Sequence, residues 1–413
     1  MSKLETTTGL DIGSGKVTCV IGAPDPEGQG MRVLAGASVP CKGVKGGVVL
    51  DIKDTARAVR KAVEKAEEEA KQMVQGIVLG VRGKHLESFN NRGVCQIART
   101  DKEITPEDVR AVIQNARAIP ISNDREILHV IAQGFSLDRQ RGVPDPVGME
   151  GSLLEVEVHI VTAATSHLNN LSKAVTEAGF EVLAPVYTLK ALGELVVTPE
   201  ERDLGCLLVD IGGQTLSIAI YSEGSIKFSK EIPLGSEFIT RDLAVGLRTT
   251  MPAAEKIKIE HGAADSRLAD AEGEISYVGV DGRSSNKVKS GTMLGIIQPR
   301  VQEIFEVVAE QVQASPFADT EITGGVVLSG GGSLLRGTPE AAAQILNMPT
   351  RLGLVPPGSA VGPEALLEPA YASALALICH QEGAGGSSSS LDNGRAPEPR
   401  WVRRVKAFFK DLI

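Results

Sequence analysis

Short, continuous apolar runs ending in Asp and Gly alternate along this chain with stretches in which apolar residues recur at helical spacing. Thr8 to Gly22 (TGLDIGSGKVTCVIG) predicts two short strands around a tight Gly-rich turn. From Asp54 to Met73, Ala58, Val59, Ala62, Val63, Ala66 and Ala70 form one face among Lys and Glu, which predicts an amphipathic helix. Ile77 to Val81 (IVLGV) then reads as a buried strand. Thr105-Pro-Glu-Asp-Val opens a second helix: Thr105 caps it, Pro106 takes the first helical position, and Glu107 and Asp108 complement the dipole. Val109, Val112, Ile113 and Ala116 form its apolar stripe, and strands at Ile127 to Ile131 and Glu155 to Thr162 flank it. This block carries no phosphate-loop chemistry and reads as an inserted interaction subdomain.

Gly205 to Tyr221 (GCLLVDIGGQTLSIAIY) repeats the opening pattern of strand, Asp-x-Gly, turn and strand. Aligning Leu10-Asp11-Ile12-Gly13 with Val209-Asp210-Ile211-Gly212 gives a duplication of about 200 residues, too long for a solenoid repeat. Two related α/β lobes facing a common cleft account for it.

The pattern changes near the C-terminus. Gly383 to Pro399 (GAGGSSSSLDNGRAPEP) has almost no apolar residue and predicts a flexible linker over 382–399. Arg400 to Ile413 (RWVRRVKAFFKDLI) then segregates as a helix: at about 100° per residue, Trp401, Val402, Val405, Phe408, Phe409, Leu412 and Ile413 fall in an arc of about 140°. Arg403, Arg404, Lys406 and Lys410 lie on the other side. Aromatics on one face, Lys and Arg on the other, and a tether in front predict an interfacial helix on an anionic membrane surface. The competing expectation is a terminal helix docked on its own core, for which the linker offers no packing.

Composition narrows the classes. At 413 residues with 42% hydrophobic and 23% charged, the chain has the balance of a soluble protein of two to three domains. A net charge of −9 argues against nucleic-acid binding over the whole surface. Five scattered cysteines without a Cys-x-x-Cys pair predict neither a disulfide framework nor a zinc knuckle, and so a reducing cytosol. The polar start, Met1 to Thr8, lacks a signal peptide's apolar run, and no stretch of about 18 apolar residues occurs. Among the six histidines, His159 and His167 are too loosely spaced for a recognised metal pair.

The chemistry concentrates in three glycine-rich segments. In Asp11-Ile-Gly-Ser-Gly-Lys16 and Asp210-Ile-Gly-Gly-Gln-Thr215, an apolar strand ends in Asp, and the turn lets backbone N–H groups approach an anion. Opposed across a cleft, the two turns suit the β- and γ-phosphates of a nucleotide, with Lys16 neutralising charge and Asp11 and Asp210 holding Mg²⁺, mostly through water. Gly324 to Gly337 (GGVVLSGGGSLLRG) supplies a strand running into a glycine run, expected to open a helix facing the nucleotide. The spacings of a P-loop and of a first Rossmann turn are both missing.

The order of these motifs resembles the actin/chaperone/sugar-kinase ATPase superfamily, and the details resemble the FtsA family of actin-like bacterial division proteins. The resemblance extends through Glu231-Ile-Pro-Leu-Gly235-Ser, Ile239-Thr-Arg-Asp-Leu-Ala244, Ala254-Glu-Lys-Ile-Lys-Ile-Glu-His-Gly262, Ile297-Gln-Pro-Arg300-Val-Gln-Glu303, and the insert's Leu128-His129-Val-Ile and Asp145-Pro-Val-Gly148. It implies an α/β, actin-like fold of duplicated ribonuclease-H-like lobes with a small inserted α+β subdomain, a linker and a C-terminal amphipathic helix. The implied division places 1–82, 160–204 and 353–381 in the first lobe and 83–159 in the insert. The second lobe is then 205–352, with a smaller subdomain at about 236–303, and 400–413 is the membrane helix.

For the nucleotide, the resemblance implies Asp11, Gly13, Ser14, Gly15 and Lys16 as first phosphate loop, and Asp210, Gly212, Gly213, Gln214 and Thr215 as second. Gly235 follows the second loop, Glu255 and Lys258 bracket the adenosine, and Gly330, Gly331, Gly332 and Ser333 form the adenosine loop. Gln214 stands where the family usually has a third Gly. Thr188 falls where hydrolysing relatives have Glu, and Glu194 is displaced by more than a helical turn, so ATP binding with weak or absent turnover is expected. Arg300 and Glu303 match the stretch that binds the C-terminal peptide of FtsZ. Self-assembly into filaments, contact with later division proteins and a peripheral place on the cytoplasmic face of the membrane complete the implication. The alternatives are a pilus-assembly adaptor and a small-molecule kinase of the same superfamily; a kinase needs a general-base carboxylate for which the sequence offers no evident place.

Overall fold

The computed structural model describes residues 5–380 apart from 27, 29, 266, 268–271 and 319–321. The linker expected over 382–399 and the amphipathic helix expected over 400–413 lie outside the described residues.

The duplicated hairpins fold in the same register. Thr7–Ile12 pairs antiparallel with Lys16–Pro24, placing Asp11 opposite Thr18 and Ile12 opposite Val17. Cys206–Ile211 pairs antiparallel with Leu216–Ser222, placing Asp210 opposite Ser217 and Ile211 opposite Leu216. On its other side each first strand has a parallel neighbour: Gly76–Val81 sets Gly80 beside Asp11, and Val326–Ser329 sets Ser329 beside Asp210. Around these triplets form a six-stranded sheet, with Glu181–Tyr187 and Ala360–Val361 at its edges, and a five-stranded sheet, with Ser225–Ile232 and Thr350–Leu352 at its edges.

The strand Cys206–Ile211 is buried on both faces, and its period of two divides it between cores. Leu207, Val209 and Ile211 pack with the second lobe's helices, whereas Cys206 and Leu208 join the core that also holds Leu10, Leu79, Val59 and Leu192. Helix Ile52–Ala70 covers the first sheet with Ala58, Val59, Ala62, Val63 and Ala66. It starts ahead of the expected Asp54 because Asp51 caps it by accepting from the Asp54 N–H, and it stops short of Met73 where Lys71 turns left-handed at φ 54°.

The insert is a four-stranded sheet in the order Leu86–Gln96, Leu153–Ala164, Arg125–Leu137, Gln140–Val143, with helix Pro106–Arg117 packed on it. Thr105 and Asp108 form a reciprocal capping box, as the sequence predicts. Strand Leu86–Gln96 gave no sequence signal, since Asn90, Asn91 and Gly93 are poor strand formers. It is held by a full ladder to Leu153–Ala164, and a Cβ on Gly93 would stand 2.1 Å from the Val112 carbonyl oxygen, so the helix seats only against glycine.

The insert's sheet docks on the edge strand Ser225–Ile232 through polar groups. Ser88 Oγ donates to the Ser229 carbonyl at 2.7 Å, Asn90 Nδ2 to the Lys227 carbonyl at 2.9 Å, and Gln133 Nε2 to the Ile226 carbonyl at 2.7 Å. His159 bridges Asn90 Oδ1 at 2.6 Å and Ser229 Oγ at 2.8 Å. An edge that would otherwise expose unpaired backbone is thereby covered.

One expected element differs. The glycine run after Val326–Ser329 makes a single 3₁₀ turn, Gly331–Leu334, and the α-helix begins only at Thr338. Successive glycines have little helix propensity, and Gly330 and Gly337 both take positive φ, 80° and 78°, which interrupts a helical path.

Candidate functional site

Each hairpin turn closes by one backbone bond, Gly13 N–H to the Lys16 carbonyl at 2.9 Å and Gly212 N–H to the Thr215 carbonyl at 2.9 Å. A Cβ added at Gly15, Gly213 or Gly331 would meet nothing within 4 Å. These open positions lie on the two turns expected at the phosphates and the loop expected at the adenosine. Their neighbours are tightly confined: a Cβ on Gly330 would stand 2.4 Å from Asp210 Oδ1, one on Gly332 2.4 Å from Ile211 Cγ2, and one on Gly235 2.5 Å from the Gly213 carbonyl oxygen. Ser236 and Glu237 N–H groups donate to the Gly212 and Gly213 carbonyls at 2.9 and 2.8 Å, strapping the second loop. Ser333 is buried and its hydroxyl donates to the Gly330 carbonyl at 2.7 Å, fixing the third loop.

Gln214, the departure from glycine, reaches across the cleft. Its Oε1 accepts from the Gly46 N–H at 3.1 Å and its Nε2 donates to Glu237 Oε2 at 2.6 Å, so it ties the second loop to the first lobe. Nearby, the Gly47 N–H donates to Ser14 Oγ at 3.4 Å. Thr215 is buried at the base of its turn. Lys16 Nζ turns toward the first lobe's C-terminal segment, donating to the Ala370 carbonyl at 3.4 Å and lying 5.8 Å from the Tyr371 ring centre.

Between the paired aspartates stands Arg82, a residue the sequence reading did not single out. Its Nε is 3.2 Å from Asp11 Oδ1, its Nη1 is 3.1 Å from Asp210 Oδ2, and its Nη2 donates to Ser373 Oγ at 2.7 Å. Burial works against its charge, but Asp11, Asp210 and Glu231 more than offset this and raise its pKa. Asp210 is pushed up by burial despite the guanidinium beside it. Glu231, also missed as a site residue, is pushed up to about 7 by burial, although Ser217, Arg82, the Gly83 N–H and Tyr187 all favour its charged form. The signal for Arg82 was a charged residue directly after a buried apolar strand; only the parallel pairing of Gly80 with Asp11 shows where that places it.

Glu255 and Lys258 lie on helix Met251–His261, one turn apart. Lys258 is buried and pairs with Glu255 at 2.7 Å, with Thr240 Oγ1 at 2.9 Å and with the Ser236 carbonyl at 3.3 Å; Thr240 also donates to Glu255. This network fixes the helix behind the second-loop strap. Thr188 is the first residue of helix Thr188–Val196, with its hydroxyl buried and unpartnered. Glu194 is held to Lys190 and His380, each at 2.6 Å; although burial alone would raise it, these partners hold it down at about 2.

The open loop faces at Gly15, Gly213 and Gly331 have room for a polyphosphate. A divalent cation does not fit the present arrangement. Magnesium needs oxygen ligands in near-octahedral array, whereas both candidate carboxylates are ion-paired to Arg82.

Away from the cleft, Arg300 lies on helix Ser290–Gln313 and pairs with Glu303 one turn on. It also makes a two-pronged contact to Asp242 on helix Glu237–Gly246, at 2.6 and 3.2 Å. Arg300 therefore holds two helices of the second lobe together.

Two lobes with matched strand–Asp–Gly hairpins facing one cleft define an actin-like protein. A structure described as the PilM-PilN type IV pilus biogenesis complex shares the fold at TM-score 0.65 and 18% identity, over 90% of this chain and 97% of that one. MreB5 of Spiroplasma citri bound to AMPPNP shares it at TM-score 0.52 and 16% identity, over 86% and 92%. Two family models match the chain: "SHS2 domain inserted in FTSA" over residues 83–162 and "Cell division protein FtsA" over 207–376. Cell division protein FtsA of Pseudomonas aeruginosa is 34% identical over 409 residues, covering 96% of this chain and 97% of the relative. The chain belongs to the FtsA family of cell division proteins.

Proposed function

We propose that this chain binds ATP between its lobes, polymerises on the cytoplasmic face of the membrane, anchors FtsZ filaments there and recruits later division proteins. The observation carrying the nucleotide reading is the pair of hairpins in identical register whose Gly15 and Gly213, with Gly331, leave room no side chain fills. Asp11, Gly13, Ser14, Gly15 and Lys16 on one side, and Asp210, Gly212, Gly213, Gln214 and Thr215 on the other, surround the phosphates. Gly330, Gly331, Gly332 and Ser333 approach the adenosine, with Glu255 and Lys258 behind Gly235 and its strap. Magnesium, expected at Asp11 and Asp210, would have to share both carboxylates with Arg82 and is no part of what carries this reading. The domain division given above belongs to the same proposal, with the insert as the contact for later partners and the next protomer.

No helix among the described residues is long and apolar enough to cross a membrane. Attachment is therefore assigned to Arg400 to Ile413 on its sequence geometry. One such helix binds reversibly, and many on one polymer bind firmly through effective concentration. The FtsZ C-terminal peptide is assigned to the surface around Ile259 to Glu303. Since Arg300 is engaged by Asp242, the half-exposed Glu303 is the better probe: Glu303→Lys should change peptide affinity without parting the two helices.

Electron microscopy of the full chain with ATP on anionic lipid monolayers tests the proposal. Ordered filaments that disappear when Trp401 to Ile413 is removed are expected. Equal decoration by the truncated protein would refute the anchor, and an absence of filaments with ATP would refute the polymer.

A further inference from the structure

Arg82 is, among the described residues, the cation that touches both phosphate-loop carboxylates. It follows the strand Gly76–Val81, whose pairing sets Gly80 beside Asp11; two residues on, the side chain leaves on the same face. Contacts from three parts of the chain hold the guanidinium: Asp11 from the first lobe, Asp210 from the second, and Ser373 from helix Ala372–Cys379. It also lies against the second phosphate loop, its Nη1 3.7 Å from where a Cβ on Gly212 would stand. The ion pairs do not use up the site: Asp210 Oδ1 is buried without a hydrogen-bond partner, and Arg82 Nε and Asp11 Oδ1 face each other at 3.2 Å without hydrogen-bond geometry. Unspent donor and acceptor capacity therefore remains at the meeting point of the phosphate loops.

A divalent cation at these carboxylates would offset their charge so that a polyphosphate could approach. Here that charge is already met. Asp11 and Asp210 are both ion-paired to Arg82, and a guanidinium stays protonated while its planar fork of N–H groups suits phosphate oxygens. The geometry points to Arg82 as a built-in replacement for the divalent cation: the cleft takes a nucleoside triphosphate without metal, and Arg82 makes the phosphate contact that the cation would otherwise mediate. This rests on the nucleotide reading above and adds to it the cofactor that the site does without.

The test is calorimetric titration of the full chain with ATP, once in excess EDTA and once in excess Mg²⁺. The wild-type affinities should agree within about threefold. In Arg82→Ser the affinity in EDTA should fall by at least about tenfold and be restored by Mg²⁺, which then reaches the vacated carboxylates. Arg82→Lys, which keeps the charge and loses the fork, should bind without metal but more weakly. Wild-type protein that binds ATP only with Mg²⁺ overturns the replacement and leaves the nucleotide reading standing. Binding under neither condition overturns both. Arg82→Ser that matches wild type in EDTA removes Arg82 from the phosphate contact. Should circular dichroism show Arg82→Ser unfolded, the paired wild-type titrations and Arg82→Lys decide alone.

Discussion

The turn after Gly76–Val81 and the turn after Val326–Ser329 occupy the same place in the two lobes, each following the strand parallel to the first strand of a duplicated hairpin. Two residues beyond the partner of the aspartate, the first turn has Arg82 and the second has Gly331. One position fills the cleft with a buried charge; the other leaves it empty. The duplication thus kept the backbone and let the side chains diverge, so that one lobe contributes charge and the other space. The hairpin turns diverge in the opposite sense: open Gly15 in the first corresponds to Gln214 in the second, which reaches back across to Gly46.

The largest expected effect comes from breaking the charge side. Asp210→Ala leaves the buried Arg82 with Asp11 as its remaining direct carboxylate contact among the described residues and should cost about 4 kcal/mol of stability in denaturant unfolding. An unchanged unfolding midpoint would mean that the guanidinium is not held between the lobes.

Next is acid, which probes the insert's seam rather than the cleft. Burial holds His85 and His159 down at about 4 and His129 at about 3, with His167 and Arg125 adding to the effect on His85 and Lys190 and His380 to that on His129. A histidine depressed in the folded state binds its proton more readily when unfolded, so stability is full above the unfolded value near 6.5 and is lost as pH falls toward the folded value. His159 alone accounts for up to about 3 kcal/mol of that loss. Unfolding curves for wild type and His159→Gln between neutral pH and pH of about 4.5 check this; identical slopes would remove His159 from the seam's energetics.

Much of this was legible in the sequence. The two hairpins, their Asp-Gly turns and the helix capped by Thr105 all follow from local spacing, and each folded as that spacing predicts. Arg82 was not legible as a site residue, because a charge directly after a buried strand does not say what it meets; its role arises from strand register and from a partner in the other lobe. The same holds for Arg300, whose i,i+3 partner Glu303 could be read from spacing while Asp242, on another helix, could not. Strand Leu86–Gln96 was hidden because its ladder, rather than its residues, makes it a strand.

The space side is sharpened by its own neighbours. Gly330→Ala forces a Cβ onto Asp210 at a φ of 80° and should cost about 2 kcal/mol. Gly331→Ala, one residue on and open, should change stability by less than about 0.5 kcal/mol. Similar thermal shifts for the two would contradict the described loop. Between these two falls Gln214→Gly, which removes the bonds to Gly46 and Glu237 and should lower stability by about 1 kcal/mol. The same change should loosen the tie between the lobes, seen as faster hydrogen exchange at Gly46.

The central claim, that a nucleotide lies between two lobes which supply unlike things, is tested most directly by measuring ATP affinity for Gly331→Phe. Nothing stands within 4 Å of a Cβ at Gly331, so the variant should unfold at the wild-type temperature while its ring occupies the space assigned to the adenosine. The account predicts unchanged stability with ATP binding lost; a folded Gly331→Phe that binds ATP as wild type does would contradict it.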